Sequence, residues 1–173
     1  MDMVFFASVP ENNEIVQMAK SEFRNGIVIP RDKIDEYINE ADCVLIGPGL
    51  PRPEGEQVGD DNTEELTNRF LSSFPDKKWV IDGGSLQTVD VELLRGLKET
   101  PILTPHVKEF EIVQVKSQKA KGKIESQNSK VEEQVQEFAR EYNSVVLLKG
   151  EKDVVCSPTD SVEIPGGNAG MTK

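Results

Sequence analysis

The sequence predicts an α/β fold in which a mostly parallel β-sheet carries helices on both faces and ends in a β-hairpin. Short, nearly continuous apolar runs alternate with amphipathic stretches along the 173 residues. Such runs are typical of strands that are buried on both faces of a parallel sheet, and the stretches between them have helical spacing. A chain of this length can form its own core, so we expect a single domain, residues 1–173.

The individual elements follow from the same patterns. Six apolar runs are predicted strands: 4–9, 43–46, 79–81, 102–103, 145–148 and 154–156. Five helices are predicted from apolar residues that share one face, around Ile15, Tyr37, Phe70, Leu94 and Phe138. Asn62 and Asp90 are expected to cap the helices that follow them. After residue 153 a turn at 157–160 separates two short strands, which predicts the hairpin.

Composition argues against several classes of function. The net charge of −11 argues against a protein that binds nucleic acid through a basic face. The basic stretch 116–130 is predicted to be a solvated loop. No apolar stretch approaches the roughly 18 residues of a membrane-spanning helix, so no membrane partner is expected. Cys43 and Cys156 are predicted to be buried in strands without zinc-site spacing, and a reducing, cytoplasmic location is expected.

Several turns directly follow predicted strands, and ligands of parallel α/β sheets bind at the carboxyl ends of strands. The Gly47-Pro48-Gly49 turn either brings backbone close to a ligand or is an ordinary tight turn. Asp82 could hold a magnesium ion or orient a hydroxyl group, or it could cap a helix. His106 is the only histidine. It could donate to a substrate oxygen or stack on a ring, or it could be a surface residue.

Two further segments offer groups for an anion. Lys149 and Gly150 follow a strand, where the lysine could meet a phosphate or be solvated in a turn. Asp153 could cap this turn or accept from a ribose hydroxyl. The glycine-rich run at 166–170 contains Asn168 and Gly170 and is typical of the approach to a phosphate-binding turn.

The order of three segments resembles that of the NAD(P)H-hydrate dehydratases, repair enzymes related to carbohydrate kinases within the ribokinase-like superfamily. These segments are 103–110 (LTPHVKEF), 146–150 (VLLKG) and 167–171 (GNAGM). The resemblance runs from about residue 3 to the end and implies a ribokinase-like fold. It also implies an ADP-dependent reaction, with ADP or ATP and Mg²⁺, on the S-epimer of hydrated NADH or NADPH. In that reaction the nucleotide phosphorylates the substrate hydroxyl, and loss of phosphate restores the dihydropyridine ring.

The resemblance also implies site residues. Gly49 and His106 would contact the hydrated nicotinamide nucleotide. The adenine-nucleotide site would be lined by Lys149, Gly150 and Asp153, and Asn168 and Gly170 would lead into the catalytic turn. A homo-oligomer is expected.

The sequence departs from the family pattern at several points. The family continues after Gly-Met into Gly-Gly-Thr-Gly-Asp, whose aspartate is the base, and this lies beyond Lys173. A first glycine-rich strand and helix are also absent, Asp82-Gly83-Gly84 replaces Asp-Ala-Asp, and Lys108 replaces a glycine. No catalytic base is therefore assigned, and residues 1–173 are expected to be inactive alone. The alternatives are a small-molecule kinase of the hydroxymethylpyrimidine or hydroxyethylthiazole type and a non-catalytic nucleotide-binding protein.

Overall fold

Two sheets are present in the computed structural model, which describes residues 3–19, 22, 25–52, 62–121 and 131–166. The chain forms two compact units, Met1–Asp42 and Cys43–Lys173. Among the described residues, no helix is long and apolar enough to span a membrane.

The first unit contains a parallel pair of strands, β1 (Val4–Phe6) and β2 (Gly26–Val28). Helix α1 (Pro10–Met18) joins the two strands, and α2 (Ile34–Glu40) follows a 3₁₀ turn at Arg31–Lys33. Pro10 occupies the first turn of α1, where its missing N–H group costs nothing.

The prediction that all six apolar runs share one sheet is wrong for the first run. That strand is shorter than the predicted 4–9 and pairs with β2 in a sheet of its own. Strand β2 was not predicted, because its three residues, Gly-Ile-Val, are too few to show the alternation of apolar and polar side chains that is typical of a strand.

The second unit holds a six-stranded sheet in the order β3-β4-β5-β6-β7-β8. Its strands are β3 (Cys43–Ile46), β4 (Lys78–Ile81), β5 (Ile102–Leu103), β6 (Val145–Leu148), β7 (Lys152–Cys156) and β8 (Ser161–Pro165). The pairs from β3 to β6 are parallel, whereas β7 is antiparallel to both of its neighbours. The mostly parallel sheet and the C-terminal hairpin are therefore confirmed.

The helices of this unit are α3 (Thr63–Ser73), α4 (Gly83–Thr88), α5 (Val107–Lys121) and α6 (Val131–Glu141), with a 3₁₀ helix at Val91–Gly96. The predicted caps are confirmed, since Asn62 accepts from the Glu64 N–H at 2.8 Å and Asp90 accepts from the Glu92 N–H at 3.1 Å. The helix predicted around Leu94 is a 3₁₀ helix. Apolar spacing alone does not distinguish an α-helix from a 3₁₀ helix over six residues. The loop predicted at 116–130 is wrong up to Lys121, where α5 ends, and its remaining part, 122–130, lies outside the described residues.

The core of the second unit lies on one face of its sheet. Trp79 and Ile81 of β4 are almost fully buried there, and the Trp79 indole N–H donates to the Phe74 carbonyl at 3.0 Å. The opposite face is more open, since Leu45 is 61% exposed and Ile102 is 40% exposed. Cys43 lies on this open face at the sheet edge and is exposed, so the prediction of its burial is wrong, whereas Cys156 is buried as predicted. A second helical layer over the open face stays a prediction.

Candidate functional site

Three polar residues lie at the carboxyl edge of the six-stranded sheet. Asp82 follows β4, His106 comes shortly after β5, and Lys149 follows β6. The Lys149 N–H donates to the Pro105 carbonyl at 2.8 Å, which continues the parallel pairing as a bridge between His106 and Lys149. The Lys149 Nζ atom lies 3.1 Å from Asp82 Oδ1. The structure thus brings these predicted site residues together.

The Asp82 carboxylate is favoured in its ionised form. Burial opposes its ionisation, but the hydrogen bond and charge of Lys149, with contributions from the nearby Gly83 N–H and Thr104 hydroxyl, outweigh that penalty. The pKa of this carboxyl is therefore lowered from its ordinary value. Asp82 occupies the N-cap position of α4 without capping it through its side chain. The geometry favours an ion-pair role for Asp82.

A magnesium site finds little support in this geometry. The part of the chain that the structure describes contains no group of three His, Cys, Asp or Glu side chains that could hold a metal ion. The carboxylate nearest the edge, Asp82, is already paired with Lys149. Magnesium is usually bound through carboxylates and phosphate oxygens, so these residues do not fit a resident Mg²⁺ by themselves.

The glycine turn after β3 packs on the end of β4. Gly47 has a φ of +114°, and a Cβ atom there would lie 1.7 Å from the Asp82 carbonyl oxygen. Gly49 also has a positive φ, of +78°, but a Cβ atom there would meet nothing within 4 Å among the residues that the structure describes. Gly47 therefore provides the close backbone approach, and Gly49 does not. The residues themselves indicated only the Gly47-Pro48-Gly49 turn, and Gly49 was named through the family resemblance, because no local pattern distinguishes two glycines in one turn.

His106 and Glu109 form a reciprocal cap at the start of α5. The Glu109 N–H donates to His106 Nδ1 at 3.2 Å, and the His106 N–H donates to Glu109 Oε2 at 3.0 Å. This is the geometry of a capping box, with histidine in the place that serine or threonine usually takes. The His106 side chain is only 13% exposed, so the alternative of a surface histidine does not hold. The His-x-x-Glu spacing of these two residues in the sequence is the pattern that could have predicted this reciprocal cap.

The turn after β6 is closed by Asp153. Its Oδ1 atom accepts from the Gly150 N–H at 3.0 Å, so its carboxylate caps the turn that carries Lys149. This corresponds to the capping alternative in the sequence analysis. Asn168 and Gly170 lie outside the described residues, and the last described residue, Gly166, ends the hairpin with a φ of +105°.

Replacing Asp82 by asparagine is expected to lower stability at neutral pH by about 1 kcal/mol, because Lys149 loses a partner in a partly exposed ion pair. Since the pKa of Asp82 is lowered in the folded state, its carboxylate stabilises the fold fully above the ordinary value of 3.8. That contribution disappears as the pH falls through the lowered folded-state pKa. Urea unfolding at a series of pH values measures the difference. Asp76→Asn, at an exposed position, is the control, and a pH-independent difference for Asp82→Asn would contradict the expectation.

Two solved structures share this fold. A ribokinase-like superfamily protein of Enterococcus faecalis matches with a TM-score of 0.65 and 18% identity, over 99% of this chain and 55% of that one. An ADP/ATP-dependent NAD(P)H-hydrate dehydratase of Bacillus subtilis, co-crystallised with ATP and Mg²⁺ and soaked with CoA, matches with a TM-score of 0.62 and 20% identity. This second match covers 100% of this chain and 58% of that one. The fold is therefore that of the ribokinase-like α/β proteins.

The chain belongs to the NAD(P)H-hydrate dehydratase family, whose model matches residues 2–173. A bifunctional NAD(P)H-hydrate repair enzyme, Nnr, of Moorella thermoacetica is 31% identical over 167 residues. That match covers 93% of this chain and 29% of the relative. The chain thus spans less than a third of this relative and somewhat more than half of the two solved chains. The resemblance seen in the sequence is confirmed.

Proposed function

We propose that this chain provides the ligand-binding sheet edge of an (S)-NAD(P)H-hydrate dehydratase that uses ADP or ATP. The observation that carries the proposal is the meeting of Lys149 and His106 at one carboxyl edge, in a chain of this family. A phosphorylated ligand needs a cation at such an edge, and a hydrated nicotinamide needs a hydrogen-bonding group beside it.

Lys149 is proposed to bind a phosphate of the nucleotide. A lysine ammonium group has three N–H donors, so the contact with Asp82 at 3.1 Å is compatible with a second contact to an anion. Because Asp82 and the backbone pairing to Pro105 fix the lysine, less side-chain freedom is lost on binding. Gly150 and Asp153 are proposed to shape the adenine-nucleotide site around it. Their mutual hydrogen bond supports a rigid turn at this position.

The substrate side is proposed to involve Gly49 and His106. A Cβ atom at Gly49 would meet none of the described residues within 4 Å, which supports a place for a ligand beside this turn. His106 Nδ1 is taken by the Glu109 N–H, so the neutral imidazole has Nε2–H left to donate to a substrate oxygen. Asn168 and Gly170 are proposed to lead into the phosphate-holding turn, on the basis of the sequence motif alone.

In the proposed reaction the substrate hydroxyl receives a phosphoryl group from the nucleotide, and phosphate then leaves. Lys149 would hold and orient the phosphate, and His106 would orient the hydrated ring. Positioning of charge of this kind is the main contribution that proteins make to phosphoryl transfer. No base is assigned among the described residues.

The proposal is tested by adding purified chain to (S)-hydrated NADH with ADP or ATP and Mg²⁺. Recovery of the NADH absorbance supports the dehydratase, and the faster of the two nucleotides identifies the donor. Phosphorylation of a hydroxymethylpyrimidine or a hydroxyethylthiazole, without recovery of NADH, would instead favour the small-molecule kinase. Because residues 1–173 are expected to be inactive alone, binding of both hydrated NADH and a nucleotide, measured by calorimetry, also supports the proposal, whereas nucleotide binding without binding of hydrated NADH would favour the non-catalytic alternative. Absence of binding to either nucleotide and to hydrated NADH would contradict the proposal.

A further inference from the structure

We propose that Glu109 is a positioning residue that holds His106 in the tautomer with its proton on Nε2. His106 is thereby kept as a hydrogen-bond donor, through Nε2–H, at the carboxyl edge of the sheet where the ligand is proposed to bind. This inference deepens the proposed function and rests on it for the identity of the ligand. The state of the imidazole ring itself is measurable without any ligand.

The Nδ1 atom of His106 accepts a hydrogen bond from the helix backbone. The Glu109 backbone N–H donates to this atom at 3.2 Å. A ring nitrogen that accepts a hydrogen bond must present a lone pair, so a neutral imidazole in this position carries its proton on Nε2. The backbone of α5 thus selects one tautomer as long as the ring stays in its capping orientation.

The Glu109 carboxylate lies beside the same imidazole ring. Glu109 Oε2 accepts from the His106 backbone N–H at 3.0 Å, which fixes the carboxylate beside the ring. Its other oxygen, Oε1, lies 3.5 Å from His106 Nε2 without forming a hydrogen bond to it. A negative oxygen at this distance favours an N–H group over a lone pair on Nε2, because a lone pair would be repelled. Backbone and side chain of Glu109 therefore favour the same tautomer.

The Glu109 carboxylate is buried. The Glu109 side chain is only 4% exposed, although carboxylates are rarely buried without a compensating partner. An ordinary capping box at a helix surface would not need a buried carboxylate. The Arg52 side chain, which is 60% exposed, lies 4.0 Å from Oε1 and places a positive charge on the solvent side of the carboxylate. The low surrounding dielectric strengthens the field of the carboxylate at the imidazole.

The test uses nitrogen-15 NMR of the ring, which is unambiguous because His106 is the only histidine. Spectra are recorded at a series of rising pH values, and the tautomer is read where the ring shifts no longer change with pH. The wild-type chain should show one protonated nitrogen, Nε2, and one unprotonated nitrogen, Nδ1. In Glu109→Gln the amide oxygen can still accept from the His106 N–H, but an NH₂ donor then replaces Oε1 beside Nε2. Because a donor favours a lone pair on Nε2, the two tautomers should mix in this variant. The two ring nitrogen resonances should therefore move toward each other.

The matched control is Glu111→Gln, which removes the same charge at an exposed position of the same helix. It should leave the ring resonances unchanged. Wild-type resonances in Glu109→Gln, or a wild-type ring protonated on Nδ1, would overturn the proposal. If Glu109→Gln unfolds, the wild-type spectrum still decides, since an equal mixture of tautomers there contradicts a fixed donor.

Binding of hydrated NADH provides the functional readout. Glu109→Gln should weaken it roughly tenfold, the effect of one net hydrogen bond, while Glu111→Gln binds as the wild type does. A wild-type chain that has the expected tautomer but binds no hydrated NADH would contradict the proposed function. The positioning of His106 by Glu109 would still stand in that case.

Discussion

Replacing Gly47 by alanine is expected to destabilise the second unit by roughly 4 kcal/mol or more, the range of severe backbone clashes. A Cβ atom at this position would lie 1.7 Å from the Asp82 carbonyl oxygen and 3.0 Å from the Ser85 Cβ atom. The positive φ of +114° is a second obstacle, because side chains disfavour it. Neither obstacle can be relieved by a rotamer change, so the ends of β3 and β4 would have to separate.

Gly49→Ala is the matched control, since it lies in the same turn and also has a positive φ, of +78°. A Cβ atom there would contact no described residue within 4 Å, so only the conformational cost of about 1–2 kcal/mol is expected. Urea unfolding followed by circular dichroism measures both losses. Equal losses for the two variants would show that contact with Asp82 does not set the cost at Gly47.

Replacing Lys149 by methionine is expected to weaken ADP and ATP binding by roughly 10- to 100-fold. The change removes a charge-assisted hydrogen bond to phosphate, of about 1.5–3 kcal/mol. It also leaves the Asp82 carboxylate, whose Oδ1 atom was 3.1 Å from the lysine Nζ atom, to repel an incoming phosphate. Calorimetric titration with each nucleotide measures the loss of affinity.

Two variants sharpen this test. Lys152→Met removes the same charge from an exposed ion pair with Glu163, so it should bind nucleotide almost as the wild type does. Adding Asp82→Asn to Lys149→Met should recover part of the lost affinity, because the repelling carboxylate is removed. Equal affinities of the Lys149→Met and Lys152→Met variants would place the phosphate elsewhere.

The sheet and its hairpin were predictable from the sequence because strand burial is a local pattern. The apolar runs at β3, β4, β5, β6 and β7 are short and nearly continuous, and all five share one sheet. The parallel order follows from the helices between these runs, since parallel strands need crossover connections. Elements of three to six residues, such as β2 and α4, were missed because they are too short to show a period.

The sequence by itself also determined the family and the segments that carry the candidate site, because these are properties of residue order. Only the tertiary structure decided how the site groups are used. Asp82 and Lys149 are 67 positions apart, so their pairing depends on the sheet bringing two strand ends together. The same holds for Gly47, whose close approach to Asp82 exists only where β3 lies beside β4. Contacts between distant residues depend on chain packing, and a local pattern carries no information about them.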